Sequence, residues 1–223
     1  MFDPAVYYSL GMGLPVDCEG GAVFGDFNSD GLMDVAFGTV TGQLGVNLAS
    51  SPSTFNPPTM LPLATTPFPP QGLTLIGAGD FDLDGDLDIA GYDANGYRLL
   101  LNGGGGAFTP LPPYVPFGAF SAPASAMACF DVDGDGTHEL VIGGMGFGGS
   151  QIAALGYIPA TGLFGLKLTA IVGVTESIWH LGGTDVDGDG AKDAVVVVED
   201  WGGASSVYYL RVYGLVGGAI VLK

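Results

Sequence analysis

The sequence predicts an all-β protein: a β-propeller of four four-stranded blades, each of about 53 residues. Three observations carry this. An acidic nonapeptide occurs four times, starting at Asp26, Asp80, Asp131 and Asp185, at spacings of 54, 51 and 54 residues (80 − 26, 131 − 80, 185 − 131). A fixed period of that size marks a solenoid, propeller or array. Each copy is embedded in short runs rich in Val, Ile, Leu and Tyr, bounded by Gly, Pro and Asn, which read as strands. Gly supplies 40 of 223 residues with no Gly-X-Y period, as many tight turns require.

Taken in chain order, each unit opens on a short apolar run (GAVFG, LTLIGAG, SAMACF, IWHLGG) that leads into the acidic loop. A second strand follows (MDVAFGTV, LDIAGYD, HELVIGG, KDAVVVVED), then a third (QLGVNLA, YRLLLN, QIAALGYI, SVYYLRVYG). A fourth segment closes the unit: TFNPPTMLPL, AFTPLPPYV, GLFGLKLTAIVG and the short AIVLK. No capped stretch of helical period interrupts them. The repeats fall at about 17–70, 71–121, 122–175 and 176–223 within one domain spanning 1–223. The last two units align at their ends, since Tyr157–Lys167 and Tyr213–Lys223 match at Tyr, Gly, Leu and Lys. The segment FDPAVYYSLG resembles the fourth-strand segments of units 1 and 2, with Phe followed by Pro two residues later. Residues 1–16 are therefore expected to form an outer strand that completes the last blade or is donated to a neighbouring copy. A head-to-tail contact that does not close gives a filament.

Composition narrows the partners. With 5 Lys and Arg against 23 Asp and Glu, the formal charge is −18. A chain this acidic offers nothing to nucleic-acid phosphates or anionic lipid. No run of about 18 apolar residues is present, so no membrane insertion by a helix is expected. The first ten residues have neither the basic start nor the long apolar core of a secretion signal. This leaves a removed leader, an intracellular chain or a segment of a longer product. Two cysteines, Cys18 and Cys129, do not make a disulfide scaffold.

The nonapeptides DFNSDGLMD, DFDLDGDLD, DVDGDGTHE and DVDGDGAKD hold 3, 5, 4 and 4 acids, 16 of the 23. Carboxylates at positions 1, 3 and 5 of a tight loop converge and repel unless a cation lies between them. Gly at position 6 (Gly31, Gly85, Gly136, Gly190) permits the turn, and the acid at position 9 closes the cage. Flexible, all-oxygen ligation suits Ca²⁺, with about four ions expected. The expected ligands of cage 1 are Asp26, Asn28, Asp30, Asp34 and the Leu32 carbonyl; those of cage 2 are Asp80, Asp82, Asp84, Asp88 and the Asp86 carbonyl. Cage 3 uses Asp131, Asp133, Asp135, Glu139 and the Thr137 carbonyl; cage 4 uses Asp185, Asp187, Asp189, Asp193 and the Ala191 carbonyl. An EF-hand would need Glu at position 12, where Phe37, Gly91, Ile142 and Val196 stand. Four Ca²⁺ would take the charge from −18 to −10 (−18 + 8).

Units such as GDFNSDGLMDVAFG and GDFDLDGDLDIAG resemble the FG-GAP/VCBS-type repeat found in integrin α-subunit propellers and in many secreted bacterial proteins. The resemblance spans nearly the whole chain. It implies a Ca²⁺-binding loop between the first and second strands of each blade. Such propellers usually have more than four blades. Loops of this kind work at the Ca²⁺ concentrations of extracellular modules, which places the expected location outside the cell or at its surface.

No catalytic constellation emerges. There is no GxSxG elbow, no P-loop and no GxGxxG after a strand, and the carboxylates are committed to the loops. The expectation is a protein that is not an enzyme. GGGG at Gly103–Gly106 reads as a turn, and His138 as a solvated loop residue. His180 is expected on an inner strand, lining the channel or packing. Trp179 and Trp201 in unit 4 are candidate glycan-stacking residues, or else blade-to-blade packing. The mean hydropathy of +0.43, the scarcity of lysine and the unmatched terminal strand favour a structural or adhesive subunit that forms a homo-oligomer or filament. A lectin-like module that binds glycans or a surface protein is the alternative.

Overall fold

The computed structural model describes residues 21–39, 42–63, 73, 75–93, 96–113, 124–146, 148–203, 205–216 and 219–223. The expected outer strand at 1–16, and Cys18, lie outside the described residues. Unit 1 contains Ala22–Gly25 (β1), Asp34–Gly38 (β2), Gln43–Asn47 (β3), Ala49–Ser51 (β4), Thr54–Phe55 (β5) and Thr59–Pro62 (β6). Unit 2 contains Leu75–Gly79 (β7), Asp88–Asp93 (β8), Gly96–Asn102 (β9) and Phe108–Pro110 (β10). Unit 3 contains Ala124–Phe130 (β11), Glu139–Gly146 (β12), Gly149–Ile158 (β13) and Leu163–Gly173 (β14). Unit 4 contains Glu176–Thr184 (β15), Asp193–Asp200 (β16), Val207–Val216 (β17) and Ala219–Leu222 (β18).

These strands form four antiparallel four-stranded sheets, ordered β1-β2-β3-β6, β7-β8-β9-β10, β11-β12-β13-β14 and β15-β16-β17-β18. No helix occurs among the described residues. The small β4-β5 hairpin is an addition that the sequence pattern does not announce. The first strands stand side by side, β1 against β7, β7 against β11 and β11 against β15. The sheets are therefore stacked like propeller blades in chain order.

Three cores fill the spaces between consecutive sheets. Phe27, Ala36, Leu44 and Val46 of unit 1 meet Ile89, Leu100 and Phe108 of unit 2. Phe81, Ala90 and Leu99 of unit 2 meet Leu140, Ile142, Ala153 and Phe164 of unit 3. Val132, Val141, Ile152 and Ala154 of unit 3 meet Ile178, Val196, Val198 and Tyr213 of unit 4. A middle sheet is thus buried on both faces: Ile89 looks to unit 1 and Ala90 to unit 3. That is why its strands read as continuous apolar runs rather than alternating ones. Close approach needs glycine. A Cβ on Gly183 would lie 2.3 Å from the Phe130 ring.

The residue at position 2 of each acidic loop connects loop and core. Phe27 meets Phe108 of the following unit edge-on at 5.6 Å, and Phe81 meets Phe164 likewise at 5.8 Å. Val132 is buried against unit 4, whereas Val186 in unit 4 is 52% exposed. Phe81→Ala is expected to cost about 3–5 kcal/mol of stability, and Val186→Ala less than about 0.5 kcal/mol. Paired urea melts of the two variants check this.

Candidate functional site

Each acidic nonapeptide joins the first strand of its sheet to the second, and its ninth residue is the first residue of that second strand. The four loops share one hydrogen-bond plan. The carboxylate at position 1 accepts from the N–H of the glycine at position 6: Asp26 from Gly31 at 2.8 Å, Asp80 from Gly85 at 3.2 Å, Asp131 from Gly136 at 2.9 Å and Asp185 from Gly190 at 3.0 Å. The residue at position 5 accepts from the N–H at position 7 at 2.8–2.9 Å in all four. The acid at position 9 accepts from the N–H at position 2: Asp34 from Phe27, Asp88 from Phe81, Glu139 from Val132 and Asp193 from Val186, at 2.8–3.1 Å. All four ninth acids are buried.

The turn needs two left-handed residues. Gly31, Gly85, Gly136 and Gly190 have φ of 84–93°. Position 4 is left-handed as well: Gly134 and Gly188 in units 3 and 4, but Ser29 (58°) and Leu83 (61°) in units 1 and 2. The sequence signal for this was Gly at position 4 in two of the four copies. An L-residue pays about 1–2 kcal/mol in that region.

The loops bring the expected ligands together in three units. Asp80, Asp82 and Asp88 place carboxylate oxygens within 4.8 Å of one another, as do Asp131, Asp133 and Glu139, and Asp185, Asp187 and Asp193. Positions 1, 3 and 9 thus converge. Asp84, Asp135 and Asp189 at position 5 stand outside these triads, each with one oxygen engaged by the position 7 N–H. Asp26, Asp30 and Asp34 of unit 1 form no such triad among the described residues. There Asn28 stands at position 3, and its side-chain N–H donates to Asp30 at 2.9 Å. At position 7, Leu32, Asp86, Thr137 and Ala191 each donate the backbone N–H to the position 5 carboxylate.

Electrostatics favours a cation. Burial pushes the Asp88 carboxyl up to about 7, against the N–H donors of Asn102 and Phe81 that pull it down. Burial, then the Asp84 charge, also raises Asp82. Asp80 Oδ1 is buried without a hydrogen-bond partner. A hard cation on these oxygens would satisfy the orphan atom and offset the repulsion. The donor set is oxygen only, which fits Ca²⁺.

The second oxygen of the ninth acid separates the units into two pairs. In units 1 and 2 it accepts a backbone N–H, Asp34 from Ala49 at 2.7 Å and Asp88 from Asn102 at 2.8 Å. In units 3 and 4 it faces a lysine. Lys167 Nζ lies 3.0 Å from Asp133, 2.8 Å from Asp135 and 2.6 Å from Glu139. Lys223 Nζ lies 2.6 Å from Asp187, 3.5 Å from Asp189 and 2.8 Å from Asp193. Burial alone would lower the Lys167 ammonium, but its bonds to Asp135, Glu139 and Asp133 outweigh that and raise it. Lys167 in turn holds Asp135 down at about 2.

The other candidates are placed differently from one another. His138 is not a solvated loop residue. Its ring packs on Gly79 of unit 2, where a Cβ would lie 2.8 Å from the His138 Cβ. The His138 backbone N–H donates to the Asp80 carbonyl at 2.9 Å, so it belongs to the joint between units. His180 is exposed on β15. Gly103–Gly106 forms the expected turn, with the Gly103 N–H donating to the Ala107 carbonyl at 3.0 Å. Cys129 is a free thiol. Trp179 and Trp201 are both exposed on unit 4, and neither packs into an inter-sheet core. The Trp179 indole N–H donates to Glu199 at 2.8 Å. Hydrogen bonds from Ser206 and Trp179 hold the Glu199 carboxyl below its usual range. No helix among the described residues is long and apolar enough to cross a membrane.

Two outcomes follow from the loop geometry. Leu83→Gly is expected to stabilise the protein by about 0.5–1 kcal/mol by removing the left-handed penalty, whereas Gly85→Ala destabilises it by about 1–2 kcal/mol; urea unfolding compares them. Chelation is expected to lower the melting temperature, because each site at 100 times its Kd adds about 2.7 kcal/mol. Asp82→Asn should lower it only in Ca²⁺, whereas Asp88→Ala should lower it with and without Ca²⁺, because it strands two buried N–H donors.

No curated protein matches the chain. Among solved structures, it is similar to one described as the structural basis of specific recognition of non-reducing terminal N-acetylglucosamine by an Agrocybe aegerita lectin. That match has 18% identity and a TM-score of 0.51, and covers 84% of this chain and 50% of that one. A second is a complex of BBS1N with ARL6DN, at 14% identity and a TM-score of 0.49, covering 95% of this chain and 56% of that one. The chain spans about half the length of these solved chains. The FG-GAP-like repeat matches residues 26–91 and again 80–142. Each match runs from an acidic loop into the second strand of the next sheet, and together they cover more than half of the sequence, so the chain belongs to the FG-GAP-like repeat family.

Proposed function

We propose that the chain is an extracellular, calcium-stabilised β-propeller module with a structural or adhesive role, and that it assembles head-to-tail with further copies of itself. The observation that carries this is the face of unit 4 turned away from unit 3. In unit 3, the corresponding face (Val141, Ile152, Ala154) is covered by unit 4. In unit 4, Val195 and Val197 pair with Val212 and Leu210 on the equivalent face, and Leu210 is 69% exposed. Val186 is exposed at the loop position whose counterparts all enter a following unit. At the opposite end of the array, Phe24 is exposed on the face of β1 turned away from unit 2, while Val35 and Phe37 of β2 on that same face are buried. An exposed apolar face on unit 4 favours addition of further units.

The extracellular setting rests on the calcium loops and on the concentrations at which such loops fill. The donated-strand version of assembly places residues 1–16 on the edge of a neighbour's last sheet. Non-enzymatic action is part of the same proposal, since the converging carboxylates are assigned to cations.

A second reading, glycan binding, has its own support. Trp179, Glu199, Ser206 and Tyr208 form an exposed aromatic and polar cluster on unit 4. Aromatic faces flanked by hydrogen-bonding groups suit sugars. One similar fold belongs to a lectin described as recognising terminal N-acetylglucosamine.

Light scattering in millimolar Ca²⁺ tests the first reading. Masses well above 22.6 kDa are expected for the wild type, and a monomer for Leu210→Asp, whose exposed side chain leaves the fold intact. A monomeric wild type would overturn self-assembly. Assembly that survives deletion of residues 1–10 would overturn strand donation. Saturable binding to N-acetylglucosamine lost on Trp179→Ala or Trp201→Ala would favour the second reading.

A further inference from the structure

Two of the five basic side chains in the whole sequence, Lys167 and Lys223, have their ammonium groups on the acids of cages 3 and 4. Each touches positions 3, 5 and 9 of its own loop. The two are carried there by different backbones. In unit 3, β14 pairs Leu166 with Leu155 and Leu168 with Ala154, so Lys167 is the extra residue of a bulge. A bulge re-aims the side chain it carries. In unit 4, Lys223 follows β18, and its N–H donates to the Val212 carbonyl at 2.9 Å.

Room for the lysine is also built in. Continuing the strand register by one residue puts Gly156 opposite the ninth acid in unit 3 and Gly214 opposite it in unit 4. A Cβ at Gly156 would lie 2.7 Å from Lys167 Cε, and one at Gly214 would lie 2.0 Å from Lys223 Cε. Continuing the same register in units 1 and 2 puts Leu48 and Leu101 at this position. Those units supply no lysine to the cage. Glycine and lysine occur together in two units, and leucine without lysine in the other two. The arrangement is therefore a paired feature of the repeat.

We propose that Lys167 and Lys223 are internal counter-cations, which hold cages 3 and 4 folded when metal is absent and which Ca²⁺ must displace to enter. The proposal rests on the calcium reading of the loops. The chain then carries two kinds of cage. Cage 2 has Asp80, Asp82, Asp84, Asp86 and Asp88 and no lysine, a nominal charge of −5. Cages 3 and 4 each have four acids and one lysine, a nominal −3 (−4 + 1). Cage 1 reaches −3 by a different route, with Asn28 in place of an acid. Cage 2 is accordingly the first to fill. Cages 3 and 4 keep their loops closed through falling Ca²⁺ because an ammonium takes the ion's place against the buried ninth acid.

The test is calorimetric titration of Ca²⁺ into chelator-stripped wild type, Lys167→Met and Lys223→Met, together with thermal melts in EGTA. Each substitution is expected to tighten one site about tenfold or more, since an intramolecular competitor is removed. Each is also expected to lower the melting temperature in EGTA by several degrees, with Lys167→Arg and Lys223→Arg restoring it. Unchanged site affinities together with unchanged melts in EGTA would overturn the proposal while leaving the calcium reading intact. Failure of Ca²⁺ to bind the wild type or any variant would sink the calcium reading, and the displacement half of the proposal with it. In that case the EGTA melts alone decide whether the lysines act as counter-cations.

Discussion

A carboxylate is buried at the first residue of every second strand, and the rest of each unit is arranged around it. Asp34, Asp88, Glu139 and Asp193 each draw the N–H of loop position 2 toward the strand. That bond folds the loop back on itself and presses the position 2 side chain downward. In the first three units this side chain enters the core shared with the following sheet. Loop electrostatics and inter-sheet packing are therefore coupled through one residue. A buried anion is costly unless compensated. Here compensation comes from two backbone N–H groups in units 1 and 2, and from one N–H plus an ammonium in units 3 and 4, with the Thr137 hydroxyl added in unit 3.

The two pairs of units reach the same loop shape by different means. Units 1 and 2 accept a left-handed Ser29 or Leu83, whereas units 3 and 4 use glycine there. Unit 3 has long outer strands, with β13 and β14 at 10 and 11 residues, against 5 and 4 for β3 and β6, whereas unit 4 combines a 10-residue β17 with a 4-residue β18. The longer β14 carries the bulge that delivers Lys167. Further polar ties cross between units 3 and 4. Ser125 donates to the Ile178 carbonyl, Ser150 to the Glu176 carbonyl, and Arg211 to the Val172 carbonyl at 3.1 Å. Between units 1 and 2, Asn102 donates to the Phe27 carbonyl at 2.8 Å, directly beneath the acidic loop.

An array of this type has interior units buried on both faces and terminal units with one face uncovered. In the last unit the valines of β16 keep the interior pattern on both sides, Val196 and Val198 toward unit 3 and Val195 and Val197 away from it. The strand is composed as an interior strand, yet Val195 and Val197 belong to no inter-sheet core among the described residues. The same inconsistency between composition and setting appears at Val186, Tyr208 and Leu210. The aromatic and polar cluster around Trp179 and Glu199 lies on the same unit.

Much of this was legible in the sequence, because its signals are local. The period of the acidic loops set the number of units seen here, and the apolar runs between them located the first, second, third and fourth strands of each. Alternate acids around a glycine marked the loops as candidate metal sites; in units 2 to 4 positions 1, 3 and 9 converge, whereas position 5, expected to join them, stands outside the triads. Other features depend on contacts between distant residues, and no local pattern encodes those. His138 looked solvated because its loop is acidic, yet the neighbouring sheet supplies Gly79 to receive it. The matching lysines at the ends of units 3 and 4 were visible as a repeat. Their meaning appeared only when strand pairing set Lys167 34 residues from Asp133 and Lys223 36 residues from Asp187 in sequence but in contact in space. The sequence by itself determined which residues form strands and loops. The tertiary structure decided which faces are covered and which charges meet, because register and sheet stacking are set by packing across the whole array.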